Sequence, residues 1–195
     1  MGILGSILLW SMVVSADAQV VAFDFEDLHG NRGNTAGYDD WVVIYTVADR
    51  NSSDRLMAWQ EEINLQVAEK YPEVRIARIN IADVTAVPRL MRGVVEPILR
   101  RIDRRSTAAL EEQFSDAGIP LDSERTQFFL VPDWTGEYLA HFGVSSGEQY
   151  SCWVAAGSRI MGTCHEAPDA RERFLAAFDA AVEELAENVE KVGSE

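Results

Sequence analysis

The stretch Trp41-Val42-Val43-Ile44-Tyr45-Thr46-Val47-Ala48 constrains the fold of this chain more than any other. Its residues are almost all apolar or β-branched, with none of the polar alternation that a strand with one wet face shows, so it fits a strand covered on both sides. Such a strand belongs in the middle of an α/β sheet. From Ser53 onward Leu56, Trp59, Ile63 and Val67 recur at helical spacing, Ser52 or Ser53 is placed to cap the first turn, and Tyr71-Pro72 ends the segment. Residues 74–81 (VRIARINI) predict a second strand, and strand, helix, strand implies a right-handed parallel crossover.

Residues 84–125 read as a helical insertion, with a short piece around 90–95 and then a helix opening at Pro97 and running to about Asp116. Gly118 suits its C-terminal cap and Pro120 its stop. Residues 127–131 (QFFLV) predict a third strand, closed by Pro132-Asp133-Trp134-Thr135-Gly136 and followed by a helical turn over 137–142. Residues 150–155 and 159–163 predict a hairpin about Gly157-Ser158. Phe174, Phe178, Val182, Leu185 and Val189 put an apolar stripe on a last helix. Ahead of the central strand, residues 19–40 with Gly30, Gly33 and Gly37 read as a hairpin or meandering entry.

At 195 residues, 47% of them hydrophobic, the chain is long enough for one substantial core, and one domain over 19–195 is expected. Residues 1–18 carry an apolar run over 3–14 followed by Ala16-Asp17-Ala18, the small-x-small pattern of a signal peptide cleaved before Gln19. An uncleaved anchor is the alternative, but the run is shorter than the ~20 residues that span a bilayer. Cleavage makes the remainder periplasmic or secreted.

The formal net charge of −15 argues against nucleic acid as a partner, because phosphate recognition needs clustered positive charge. One segment departs from this acidity. Between Arg89 and Arg105 six arginines face only Glu96 and Asp103, a local balance of +4. On a helix Arg100, Arg101, Arg104 and Arg105 share one side and Ile98, Ile102 and Ala109 another, a pattern that docks on anionic lipid or an acidic protein, or is simply a solvated face.

The order strand, helix, strand, helical insert, strand, hairpin, helix resembles the thioredoxin fold as elaborated in exported redoxins. The local words agree. Phe23-Asp24-Phe25-Glu26-Asp27-Leu28-His29-Gly30 resembles the family's opening F-x-L-x-D-x-x-G, and Val42 to Ala48 resembles its first core strand. Asp133-Trp134-Thr135-Gly136 through Phe142-Gly143-Val144 is similar to its D-x-x-G…Y-G-V segment. Ala48-Asp49-Arg50-Asn51-Ser52 is similar to the A-x-R-x-S of a small periplasmic branch without a redox pair. The resemblance covers nearly all of 19–195 and implies an α/β, three-layer fold: a central mixed sheet flanked by helices, with the helical insertion at about 84–125.

Family chemistry needs a thiolate at the mouth of the first long helix and a second thiol one turn along. The matching positions are Asn51 and Asp54, with Ser52 and Ser53 between them, and none of the four can form a disulfide. The family's cis-proline falls at about Gln149. The turn therefore serves either as a helix cap or as a docking surface for an anion or peptide. Asn51-Ser52-Ser53 also matches an N-glycosylation sequon.

Two cysteines remain, Cys152 and Cys164. A three-residue hairpin loop places them opposite each other, within reach of a disulfide, whereas a two-residue loop leaves them diagonal. Two buried free thiols are the other outcome. Cys164-His165-Glu166 has no zinc-site spacing, so neither metal nor cofactor is expected, and His29 and His141 stand alone. No nucleophile-base pair or phosphate loop is legible. The expectation is an exported thioredoxin-like protein without dithiol chemistry that binds or scaffolds a protein partner. Its alternatives are a divergent oxidoreductase using Cys152 and Cys164, and a peripheral membrane protein docking through the arginine-rich helix.

Overall fold

The computed structural model describes residues 20–144 and 149–192. Its centre is a five-stranded sheet in the order β5-β4-β3-β6-β7, built from β3 (Val42–Ala48), β4 (Ile76–Asp83), β5 (Thr126–Asp133), β6 (Ser151–Ala156) and β7 (Arg159–His165). The pairs β3–β4 and β4–β5 are parallel, while β3–β6 and β6–β7 are antiparallel. The unbroken apolar run is the middle strand, and every residue of it is buried. Because side chains alternate across a strand, it feeds two cores at once. Val42 and Ile44 join one cluster, and Val43, Tyr45 and Val47 join the other.

The first cluster is covered by α1 (Ser53–Lys70) and α4 (Ala170–Val192), the second by Val21, Phe23 and Phe25 together with Leu139 of α3 (Glu137–His141). This is the three-layer, mixed-sheet α/β arrangement expected. The entry segment forms the small antiparallel pair β1 (Asp24–Glu26) and β2 (Arg32–Asn34). Leu56, Trp59, Ile63 and Val67 are the buried face of α1, as their spacing implies. On α4, Phe174 and Phe178 are buried, but Val189, read as part of the same stripe, is 71% exposed.

The insertion differs from expectation. A short 3-10 turn (Arg89–Met91) runs straight into a single α-helix, α2 (Arg92–Asp116), with Pro97 inside it rather than at its start. Pro97 removes the N–H that would reach the carbonyl of Gly93, and Gly93 is exposed, which puts that oxygen within reach of solvent and keeps the cost local. The insertion's α2 touches α1 through Gln113 Nε2, which donates to the Glu61 carbonyl at 2.7 Å.

The β6–β7 hairpin resolves the question of register. Its loop has two residues, Gly157 and Ser158, with Ala156 opposite Arg159. A bulge between Val154 and Ala155 then shifts the ladder by one residue, so Cys152 stands directly opposite Cys164. On β7 a Cβ at Gly162 would lie 2.6 Å from the Cβ of Ala177, and this glycine lets α4 press onto the strand. No helix among the described residues is long and apolar enough to cross a membrane.

Candidate functional site

The turn between β3 and α1 is organised by Asp49. Its Oδ1 accepts from the Asn51 N–H at 2.9 Å, the Ser52 N–H at 2.9 Å and the Ser52 hydroxyl at 2.8 Å, and its Oδ2 accepts from Asn51 Nδ2 at 3.2 Å. The Asp49 carbonyl accepts the Ser53 N–H at 3.0 Å. The expected side-chain caps are therefore corrected. Ser52 occupies the N-cap position but makes no capping bond, because its hydroxyl is turned back to Asp49, and Ser53 is the first helical residue with its hydroxyl on the Arg50 carbonyl. Ser52 is buried, whereas Asn51 and Asp54 are exposed. Arg55 fastens the turn from outside by donating to the Asn51 carbonyl at 2.6 Å and pairing with Glu166 at 2.5 Å.

Partial burial acts to raise the Asp49 pKa, but hydrogen bonds from Ser52 and Asn51 outweigh it and hold the carboxyl below its ordinary range. A carboxyl with a depressed folded pKa contributes stability above its unfolded value of about 3.9, and that contribution is lost as pH falls through the folded value. Asp49→Ala also strands the buried Ser52. It is expected to cost about 1–3 kcal/mol near neutral pH, with the gap to wild type closing below about pH 4. Urea unfolding across that range checks both the size and the sign.

Gln149 lies in an exposed bend ahead of β6, and no cis peptide bond occurs among the described residues. Cys152 and Cys164 are free and fully buried, at 0% and 1% exposure. Both belong to the core cluster that contains Trp59, Tyr150 and Phe174. Burial pushes the Cys152 thiol well up and its hydrogen bond with the Cys164 thiol adds to this, while the charge of Arg78 acts the other way. The neutral thiol is the favoured form, the reverse of what a nucleophilic sulfur needs. Among the described residues no three His, Cys, Asp or Glu side chains group into a metal site.

In the candidate patch, Arg100 pairs with Glu96 at 2.7 Å one turn before it, while Arg101, Arg104 and Arg105 are exposed. Leu90, Met91, Val94, Ile98 and Ile102 are exposed too, so the first half of α2 and the turn before it present apolar and cationic groups together. The buried face of α2 is confined to its far end, at Phe114. His29 bonds Asp103 at 2.7 Å across Nε2, and His165 Nδ1 lies 2.9 Å from the Ser151 hydroxyl.

No protein-family model matches the chain, and no curated protein does. Solved structures do. A hypothetical protein from Sinorhizobium meliloti 1021 is 15% identical with a TM-score of 0.51, over 85% of this chain and 83% of its own. A protein assigned as a thioredoxin from Neisseria meningitidis is 16% identical with a TM-score of 0.50, over 85% and 91%. A SCO1/SenC family lipoprotein from Bacillus anthracis str. Ames is 11% identical with a TM-score of 0.50, over 88% and 96%. With the strand order described above, these define the class: the fold is thioredoxin-like. At such identities the likeness is one of fold, and function has to be argued from the site.

Proposed function

We propose that this is an exported thioredoxin-like protein that does not exchange disulfides and acts as a protein-binding or scaffolding module, with residues 1–18 as its signal peptide. The observation that carries the reading is the position of sulfur. Both thiols are sealed in the β6–β7 part of the core, and the mouth of α1, where dithiol chemistry needs a thiolate, is occupied by the Asp49 hydrogen-bond network. The exposed apolar side chains from Leu90 to Ile102, flanked by Arg101, Arg104 and Arg105, form the surface best suited to a partner. A second reading, peripheral attachment to anionic lipid, is favoured by the same pairing of apolar and cationic groups on one helix.

The purified protein is expected to leave a model disulfide such as that of insulin unreduced, and Cys152 and Cys164 are expected to resist alkylation until denaturant is added. Rapid native-state alkylation, or a reversible redox couple abolished by Cys164→Ser, overturns the proposal in favour of a divergent oxidoreductase. Photocrosslinking from a probe at Ile98 separates the two remaining readings. Capture of a defined protein supports the module, whereas salt-sensitive binding to phosphatidylglycerol vesicles without protein capture supports the membrane.

A further inference from the structure

Strand β4 carries Arg78 and Asn80 two residues apart, hence on one face, the face covered by α1 and bordered by α2. Arg78 is 5% exposed. Among the described residues its guanidinium has no hydrogen-bond or ion-pair partner, and its close contact is the ring of Phe128, 5.9 Å from the guanidinium carbon to the ring centre. Burial pulls its pKa down to about 10, with the Cys152 sulfur acting the other way, so it remains cationic at neutral pH. Its nitrogens are not among the fully sealed polar atoms, so the guanidinium faces the cavity it lines rather than solid core, and a cation presented to a cavity without a paired anion calls for an explanation.

Arg78 lines a cavity of about 270 Å³ between α1, α2 and the edge of the sheet, together with Gln60, Asn64, Asn80, Gln113 and Phe128. A smaller cavity of about 100 Å³ shares Asn64, Arg78 and Phe128 with it. Asn64 Oδ1 and Gln113 Oε1 are buried acceptors without a donor. Asn80 Oδ1, by contrast, is engaged by the Thr46 hydroxyl at 2.7 Å and by Gln60 Nε2 at 3.2 Å. Two acids also reach the wall, but Asp103 is bonded to His29 and neither it nor Glu61 pairs with Arg78, while Arg105 adds a second positive charge.

We propose that this cavity binds a small organic carboxylate carrying a hydroxyl or amino group, with Arg78 taking the carboxylate and the amide oxygens of Asn64 and Gln113 receiving the ligand's donor. The planar guanidinium fork matches a carboxylate through two parallel hydrogen bonds, which explains an anion site in so acidic a protein. The two orphan acceptors exclude a ligand that offers only acceptors and no O–H or N–H. At about 270 Å³, near the lower end of the ~300–1,000 Å³ of ligand pockets, the cavity accommodates a short hydroxy or amino acid.

The test is calorimetric titration of the full chain with glycolate, L-serine and inorganic phosphate. Saturable binding of glycolate or serine is expected. Arg78→Met is expected to weaken it by roughly thirtyfold or more, the loss that follows when one partner of a buried charge contact is removed. Asn64→Asp, which sets a fixed carboxylate in the same cavity, is expected to suppress binding while keeping the side-chain volume, and it decides the matter if the arginine variant fails to fold. Absence of saturable binding of both carboxylates at tens of millimolar overturns the proposal, as does unchanged affinity in either folded variant. Tighter binding of phosphate than of either carboxylate overturns the ligand class.

Discussion

Phe174→Ala is expected to destabilise the protein by about 3–5 kcal/mol. Phe174 has no exposed surface and stands where α4, α1 and the sheet meet. Its ring lies edge-on to Trp59 at 5.3 Å and 5.9 Å from Phe178, so truncation removes apolar contact area and two aromatic contacts at once. The cavity has little means of collapsing. Gly162 already brings β7 against Ala177, one turn further along the same helix, and α4 cannot approach the sheet more closely. Against a total stability of order 5–15 kcal/mol such a loss is large, and a urea midpoint lowered at unchanged slope reads it directly. Native-state alkylation of Cys152 and Cys164 should accelerate in the same variant, because both share the cluster that α4 covers. A loss under about 1 kcal/mol with thiols still protected would mean that α4 does not seal this face.

The parts of the fold legible in the sequence are those whose pattern reports burial directly. The run from Val42 to Ala48 admits only a central strand, and Leu56, Trp59, Ile63 and Val67 admit only a helix with one buried face. The order of elements, together with words such as Phe23 to Gly30, then sufficed for the thioredoxin-like arrangement. What escaped depends on contacts between residues whose own character is ordinary. Pro97 looks like a helix start because proline usually is one, and only the exposure of Gly93 shows why the helix continues through it. Ser52 looks like a cap, and the residue that organises the turn, Asp49, was hidden by the rule that favours serine. The signal was present as an Asp three residues before a Ser, the spacing of a side-chain-to-backbone turn. The opposition of Cys152 and Cys164 rests on a bulge at Val154 and Ala155 that no residue type announces. Arg78 was in plain view as a charge in the middle of a strand, but nothing in its neighbours told that it lacks a counter-charge.

That missing counter-charge sets the second large effect. Arg78→Met is expected to stabilise the ligand-free protein by about 1–4 kcal/mol, by analogy with the gain when buried ion pairs give way to apolar side chains of similar volume. Methionine keeps an apolar stem of similar length and removes a largely desolvated cation that no anion among the described residues pairs. The pH dependence fixes the cause. A base whose folded pKa is lowered to about 10 destabilises the native state by a constant amount at lower pH. That penalty diminishes as the group deprotonates, so the variant's advantage should be flat through neutrality and narrow above about pH 10. Glycolate or serine should raise the wild-type melting temperature and leave the variant's unchanged, since only a ligand held by the native state shifts the unfolding equilibrium. If Arg78→Met instead destabilises the protein at every pH and in every buffer, the guanidinium is held by contacts that already satisfy it, and the site has no charge left to offer a ligand.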